Sequence, residues 1–249
     1  CHRGTPSCPP RRSPGRAPLG PDNVLVMAPG VMSGTTAPTS GRISIGGKSP
    51  LTGSIKEANA GGNPGQHLMK LGFRAIIVQG QPSDPEKRYG LEVSADGVAV
   101  VAADEYKGMW NYACCEKLLT GRDKNASVIC IGPAGEMKLS GASVACTDQN
   151  KERRPARHAA RGGLGAVMGS KGLKWVVVDP GKARPRQAAD SKGFNAQNKG
   201  YSKAYLAAPQ MFEFGTSSVV PVANILNTFV YKNRSEEHTS ELQSRRNLV

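Results

Sequence analysis

The stretch Arg157–Val178, RHAARGGLGAVMGSKGLKWVVV, has a weaker copy earlier in the chain, Ala58–Val78, ANAGGNPGQHLMKLGFRAIIV. Aligning Gly61-Gly62 with Gly162-Gly163, and allowing one extra residue, brings Gly65 onto Gly165 and Gly72 onto Gly172. Arg74 then falls on Lys174, and Ile76-Ile77-Val78 on Val176-Val177-Val178. A matching strand and turn precedes each copy, NVLVMAPG at Asn23–Gly30 and SVICIGPAG at Ser127–Gly135. A repeated order of strand, glycine-rich turn, short helix and strand predicts an internally duplicated α+β domain. Two similar half-sites follow, suited to a two-lobed anionic ligand held between them.

The chemistry of the turns points the same way. The first N–H groups of a helix lack intrahelical partners and carry the positive end of its dipole, so phosphate binds well there. Glycines let the backbone approach the ligand closely, and Arg157 and Arg161 add forked donors that match phosphate oxygens. The bland alternative is that the glycines serve only tight helix–strand packing; the repeated pattern favours the anion site. The turn is a poor dinucleotide site, because GGLGAVMG lacks the G-x-G-x-x-G spacing and no suitably placed acid follows the next strand. Arg42, after the loop APTSG, reads as another anion contact or as an exposed strand arginine. Asn59 reads as a turn-stabilising residue or a donor to a ligand or hard cation.

Composition sets the outer limits. Apolar residues make up 38% of the 249, enough for a core, while 30 Gly and 18 Pro predict many turns. No run of 18 apolar residues is present, so no membrane span is expected. The formal charge is +14; residues 1–16 supply four of those charges and residues 234–249 none, leaving +10 for the body. That balance suits anionic ligands, with nucleic acid as the weaker alternative. Six cysteines form no C-x-x-C pair, and Cys130 and Cys146 read as buried free thiols of a reducing compartment. Four histidines show no metal-ligand spacing, His67 reads as a surface or half-buried imidazole, and Trp110 and Trp175 read as packing residues. No G-x-S-x-G or carboxylate pair marks a catalytic centre.

Along the body, strands are expected at Asn23–Met27, Arg42–Ile45, Ala75–Val78, Val128–Ile131, Gly141–Cys146 and Trp175–Val178. Asp96-Gly97 predicts a hairpin within Tyr89–Val101, Asp104–Leu119 reads as a helix that Gly108 weakens, and Ser217–Tyr231 as a second helix. Residues 183–233 are expected to hold a polar connector and the first helices of a second domain. The head, 1–16, has no periodicity and is expected to be non-native or disordered. The tail Arg234–Ser244, RSEEHTSELQS, resembles the in-frame translation of a sequencing-library adapter, so residues 234–249 are expected to be non-native. A full gene continuing SEEHTSELQS would contradict that.

With these residues read, the body resembles the N-terminal domain of the aldehyde ferredoxin oxidoreductase family. The resemblance lies in APTSGR (37–42), KSPLTG (48–53), ANAGG (58–62), LGFRAIIVQG (71–80), IGPAGE (131–136) and RHAARGGLGAVMGSKGLK (157–174). Together these segments run from about Pro18 to Asp179, within a cofactor-binding domain expected over 17–182, and FGTSSVVPVANILN (214–227) is similar to the opening of the family's second domain. The resemblance implies a duplicated α+β base carrying two pterins that share one tungsten or molybdenum. Arg42, Asn59, Ala60, Gly61, Arg157, His158, Ala160, Arg161 and Gly162 would contact the pterins or their phosphates. Asn59 and the backbone carbonyl of His158 would hold a Mg²⁺ bridging those phosphates. It further implies a cytoplasmic, homo-oligomeric enzyme that oxidises aldehydes to acids with ferredoxin as acceptor. A carboxylate- or acyl-CoA-reducing member of the family is the alternative, and a non-catalytic phosphate- or nucleic-acid-binding module is another. The [4Fe–4S] ligands and acid/base residues would lie in later domains, leaving the chain as it stands inactive. Asn63-Pro64, Ala160 and Trp175 depart from the family's usual residues.

Overall fold

The computed structural model describes residues 17–149, 152–207 and 214–226. The expectations for residues 1–16, 227–233 and 234–249 fall outside the described residues. The chain divides into two units at Ala189/Asp190, described separately below.

The first unit is α+β and holds two sheets. The first sheet has the order β3-β2-β1-β4, from β1 (Leu25–Pro29), β2 (Ile43–Lys48), β3 (Ile55–Ala60) and β4 (Ile76–Val78). All its neighbours are antiparallel. The second has the order β6-β5-β10-β7-β8-β9. Its strands are β5 (Tyr89–Ser94), β6 (Gly97–Ala102), β7 (Ser127–Cys130), β8 (Val144–Cys146), β9 (Arg157–Ala159) and β10 (Leu173–Val178). Here β5 runs parallel to β10 and every other pair is antiparallel. The run β9-β8-β7-β10 thus visits its strands in the same order and directions as β3-β2-β1-β4. The helix α1 (Pro64–Lys70) follows β3, and α4 (Leu164–Ser170) follows β9.

Alternation along the strands explains the packing. In β2 every second residue is buried, so Ile43 and Ile45 face the core shared with Leu25, Met27, Ile129, Val144, Leu164 and Val176. Burying one such side chain contributes about 1.5–3 kcal/mol. In β10 every residue is buried, because core side chains cover this central strand on both faces. Val176 and Val178 face the shared core, while Trp175 and Val177 pack under α2 (Asn111–Leu119) with Cys114, Leu118 and Val128. Trp175 lies over Gly90, where a Cβ would come within 2.2 Å of its ring, and meets Tyr106 edge-on at 5.6 Å. Trp175 packs as expected, whereas Trp110 is 74% exposed at the start of α2.

Several expected elements differ. The helix expected over Asp104–Leu119 breaks into a 3-10 turn (Asp104–Tyr106) and α2, since Gly108 adopts φ 74° and ends the first piece. The turn at GPAGE closes into the one-turn helix α3 (Pro133–Glu136). β3 and β9 were not anticipated as strands. In the second unit the expected connector contains α5 (Ser191–Leu206), capped by Asp190, whose carboxylate accepts the Gly193 N–H at 2.9 Å. It is followed by a 3-10 segment (Gly215–Val219) and α6 (Val220–Ile225), in place of the expected start of a helix at Ser217. No helix among the described residues is long and apolar enough to cross a membrane.

Candidate anion and cofactor site

The outer strands of the two sheets, β3 and β9, lie against each other, and the candidate residues gather at that seam. Each glycine turn reaches the far half. Gly62 (φ 98°) abuts the Thr147 carbonyl just past β8, where a Cβ would sit 2.2 Å from the oxygen, and Asn63 N–H donates to that carbonyl at 3.1 Å. Gly162 (φ 75°) lies against Lys56, and its carbonyl accepts from Ser49 Oγ, just past β2, at 2.7 Å. An L side chain at either position would be strained by its backbone angle as well as by the clash.

At the first turn the seam opens into a cleft of about 290 Å³ lined by Thr39, Gly41, Arg42, Gly61, Gly62, Asp148, Gln149 and Arg157. The loop bearing Thr39 is pinned by Gln66 of α1, whose Nε2 donates to Ser40 Oγ at 3.3 Å and whose Oε1 accepts the Gly34 N–H. Thr39 itself adopts φ 58°, costly for a β-branched residue. Arg42 Nη1 reaches Asn59 Oδ1 at 3.5 Å, and Asn59 Nδ2 donates to Ser44 Oγ at 3.1 Å. Arg157 Nε donates to Asp148 Oδ2 at 2.9 Å. Burial pushes the Asp148 carboxyl up, but the Arg157 bond and the Gln149 N–H outweigh it and hold the group below the usual carboxylate range.

The expected residues divide into three sets. Arg42, Gly61 and Arg157 share the cleft, with Asn59 beside Arg42. His158, Ala160 and Arg161 are exposed on or just after β9, and Ser143 Oγ lies 3.1 Å from His158 Nδ1. Ala60 and Gly162 are buried, so Ala60 turns its methyl into the core and offers a ligand at most its backbone. Asn59 and His158 occupy matching register positions: Asn59 stands opposite Ser44 and His158 opposite Ala145. The next pairs are Ile43↔Ala60 and Val144↔Ala159.

The helix-end reading is corrected for the second turn. All seven residues of α4 are buried, Gly165 N–H is taken by the Ala142 carbonyl at 3.0 Å, and Gly163 packs onto the Ser140 carbonyl. Gly163 and Gly165 serve close packing, and the open charge is the cationic guanidinium groups of the seam. Asp148 and Gln149 were missed, since only the fold brings them to the cleft, whereas Thr39 and Gly62 stand within APTSGR and ANAGG but were given no role as individual site residues. His67 is buried rather than half-exposed; its Nδ1 lies 2.8 Å from Ser127 Oγ, and burial, reinforced by Lys70, lowers its pKa to about 4. Cys114, Cys115, Cys130 and Cys146 are buried free thiols, as read for the last two. Burial pushes Cys146 up to about 12. No group of metal-binding side chains occurs among the described residues.

Residues 9–180 match the family model described as aldehyde ferredoxin oxidoreductase, N-terminal domain. The chain belongs to this family. A tungsten-containing aldehyde ferredoxin oxidoreductase of Pyrococcus horikoshii is 40% identical over 163 residues, 65% of this chain and 25% of that protein. Its counterpart in Pyrococcus furiosus is 38% identical over 181 residues, 71% of this chain and 27% of that protein. Among solved structures, the active site complex BamBC of benzoyl coenzyme A reductase, in complex with 1,5 dienoyl-CoA, superposes with a TM-score of 0.60. It is 32% identical and covers 69% of this chain and 25% of that one. The chain thus spans about a quarter of the length of these relatives.

Proposed function

We propose that the first unit is the base on which a bis-pterin tungsten or molybdenum cofactor lies in a longer oxidoreductase. The observation that carries this reading is the seam: two guanidinium groups, Arg42 and Arg157, line one cleft beside the half-buried glycines Gly41 and Gly61. The donor set fits phosphate, which guanidinium binds bidentately through charge-assisted bonds. In this reading Arg42, Gly61, Arg157 and Arg161 hold pterin or phosphate, while Ala60, Ala160 and Gly162 contribute backbone. Asn59 Oδ1 and the His158 carbonyl are hard oxygen donors for a Mg²⁺ between the phosphates, and their matching register positions support the pairing. The matching runs β3-β2-β1-β4 and β9-β8-β7-β10 support an internal duplication in which each half carries one pterin.

When bound, such a cofactor supplies a metal centre that accepts two electrons as an aldehyde becomes a carboxylic acid. This chain's residues would bind and orient it. Aldehyde substrate, ferredoxin as acceptor, a [4Fe–4S] cluster, homo-oligomeric assembly and a cytoplasmic setting belong to the whole protein. Residues from 183 onward would begin its second domain. The benzoyl coenzyme A reductase neighbour favours a second reading, an acyl-CoA-reducing member built on the same base.

Metal and pterin analysis of the full-length protein tests the first reading. Stoichiometric tungsten or molybdenum with pterin is expected, and Arg157→Ala should lower pterin occupancy without unfolding the chain. A protein with neither, or one whose pterin content ignores Arg157→Ala, would overturn it. Turnover of an aldehyde as against an aryl-CoA thioester separates the two enzyme readings.

A further inference from the structure

The ion pair at the cleft divides the Arg157 guanidinium into two edges. Asp148 Oδ2 takes the Nε–H at 2.9 Å, and no hydrogen bond among the described residues engages Nη1 or Nη2. A guanidinium offers its five donors in a fixed planar fork, so holding one edge sets the direction of the other. The carboxylate that does the holding is itself fixed. Its backbone N–H donates to the Arg154 carbonyl at 2.8 Å, and its own carbonyl accepts from Asn63 Nδ2 at 3.3 Å. Oδ1 accepts the Gln149 N–H at 2.7 Å. The Asp148 side chain is 18% exposed against 55% for Arg157, so the better buried partner anchors the more exposed one. Asn63 belongs to the first glycine turn, so that turn helps place the residue that aims the arginine from the other half.

We propose that Asp148 is a positioning residue for anion recognition: it grips the Nε edge of Arg157 and leaves the Nη1–Nη2 edge for phosphate oxygens. This rests on the anion-site reading above. An arginine held in advance loses less rotamer freedom when a ligand arrives. The negative charge of Asp148 opposes the ligand, but the orientation it imposes outweighs that repulsion because one edge of the guanidinium already neutralises the carboxylate.

The test uses pyrophosphate as probe, titrated calorimetrically into the 249-residue chain at low salt. Asp148→Ala should bind roughly five-fold more weakly, the scale set by ordering one long side chain. Asp148→Asn should stay within about two-fold of the unmodified chain, since its amide oxygen still accepts the Nε–H. An Asp148→Ala chain that binds as tightly or more tightly would overturn the proposal, because the carboxylate would then be a competitor. Arg157→Ala should abolish most binding; unchanged binding there, or none in the unmodified chain, would overturn the site reading itself. Exchange of the Arg157 Nε proton, read by NMR without ligand, tests the grip separately. It should be slow in the unmodified chain and in Asp148→Asn, and fast in Asp148→Ala. Equal rates in the unmodified chain and Asp148→Ala would sink the proposal whatever the titration shows.

Discussion

The strands β4 and β10 close the two copies of one sequence pattern, yet they live in different surroundings. In β4, Ile77 is 51% exposed and Arg74 just before it is open to water; in β10, Val177 is 1% exposed and the aligned Lys174 is fully buried. The hydrogen-bonded neighbours β1 and β7 hold corresponding places in the strand order, so the difference comes from what else packs on β10. α2 covers its outer face and β5 pairs with the far edge of β10, while β4 is the edge strand of its sheet. A repeated pattern therefore specifies the path of the chain, and the environment decides which residues carry energy. Lys174 answers its burial with a salt bridge to Glu136 and a 2.8 Å bond to the Met109 carbonyl, while Glu136 Oε2 accepts the Gly108 N–H.

That contrast can be broken most sharply at the aligned pair. Lys174→Met should destabilise the chain by about 3–5 kcal/mol, because it strands Glu136 as a buried unpaired charge. Arg74→Met should stay within about 0.5 kcal/mol, as an exposed substitution does. Equal effects in urea unfolding would contradict the burial difference. The glycine turns give a slightly smaller contrast. Gly163→Ala places a Cβ 1.9 Å from the Ser140 carbonyl at φ 66° and should cost about 3 kcal/mol. Gly61→Ala meets nothing nearer than Arg157 Cδ at 3.8 Å and should cost under about 1 kcal/mol.

His67 supplies a pH-dependent test of the same core. Its folded pKa of about 4 lies below the ordinary 6.5, so the unfolded chain binds the proton first. The stability this gives is complete above about pH 6.5 and falls as pH drops toward 4, by at most about 1.4 kcal/mol per unit. His67→Gln should flatten that slope in unfolding measured between pH 7 and 4.5, and an unchanged slope would place its cause elsewhere.

Much of the fold was legible because its strands alternate or run wholly apolar, as in ISIGGK and LKWVVV. β3 was not, since IKEANA carries Glu57 and Asn59 on its open face and Lys56 on the face of the two buried alanines, and β9 has only three residues, two of them exposed. α5 was hidden by two internal glycines and the lack of an apolar stripe, and it buries no residue. At the site, Arg42, Gly61 and Arg157 were readable from residue type beside glycine turns. Asp148 was not, because its role depends on contacts with Asn63 and Arg157 that no local pattern encodes.

The smallest expected effect on stability and the most direct test of function coincide at Arg157. It is an exposed residue, so Arg157→Ala should leave the melting temperature almost unchanged. Titration of pyrophosphate followed by phosphorus NMR, on the chain and on Arg157→Ala, should show affinity falling about ten-fold or more, the loss of one charge-assisted contact. Equal affinities in the two proteins would contradict the claim that the seam between β3 and β9 is where an anionic cofactor is held.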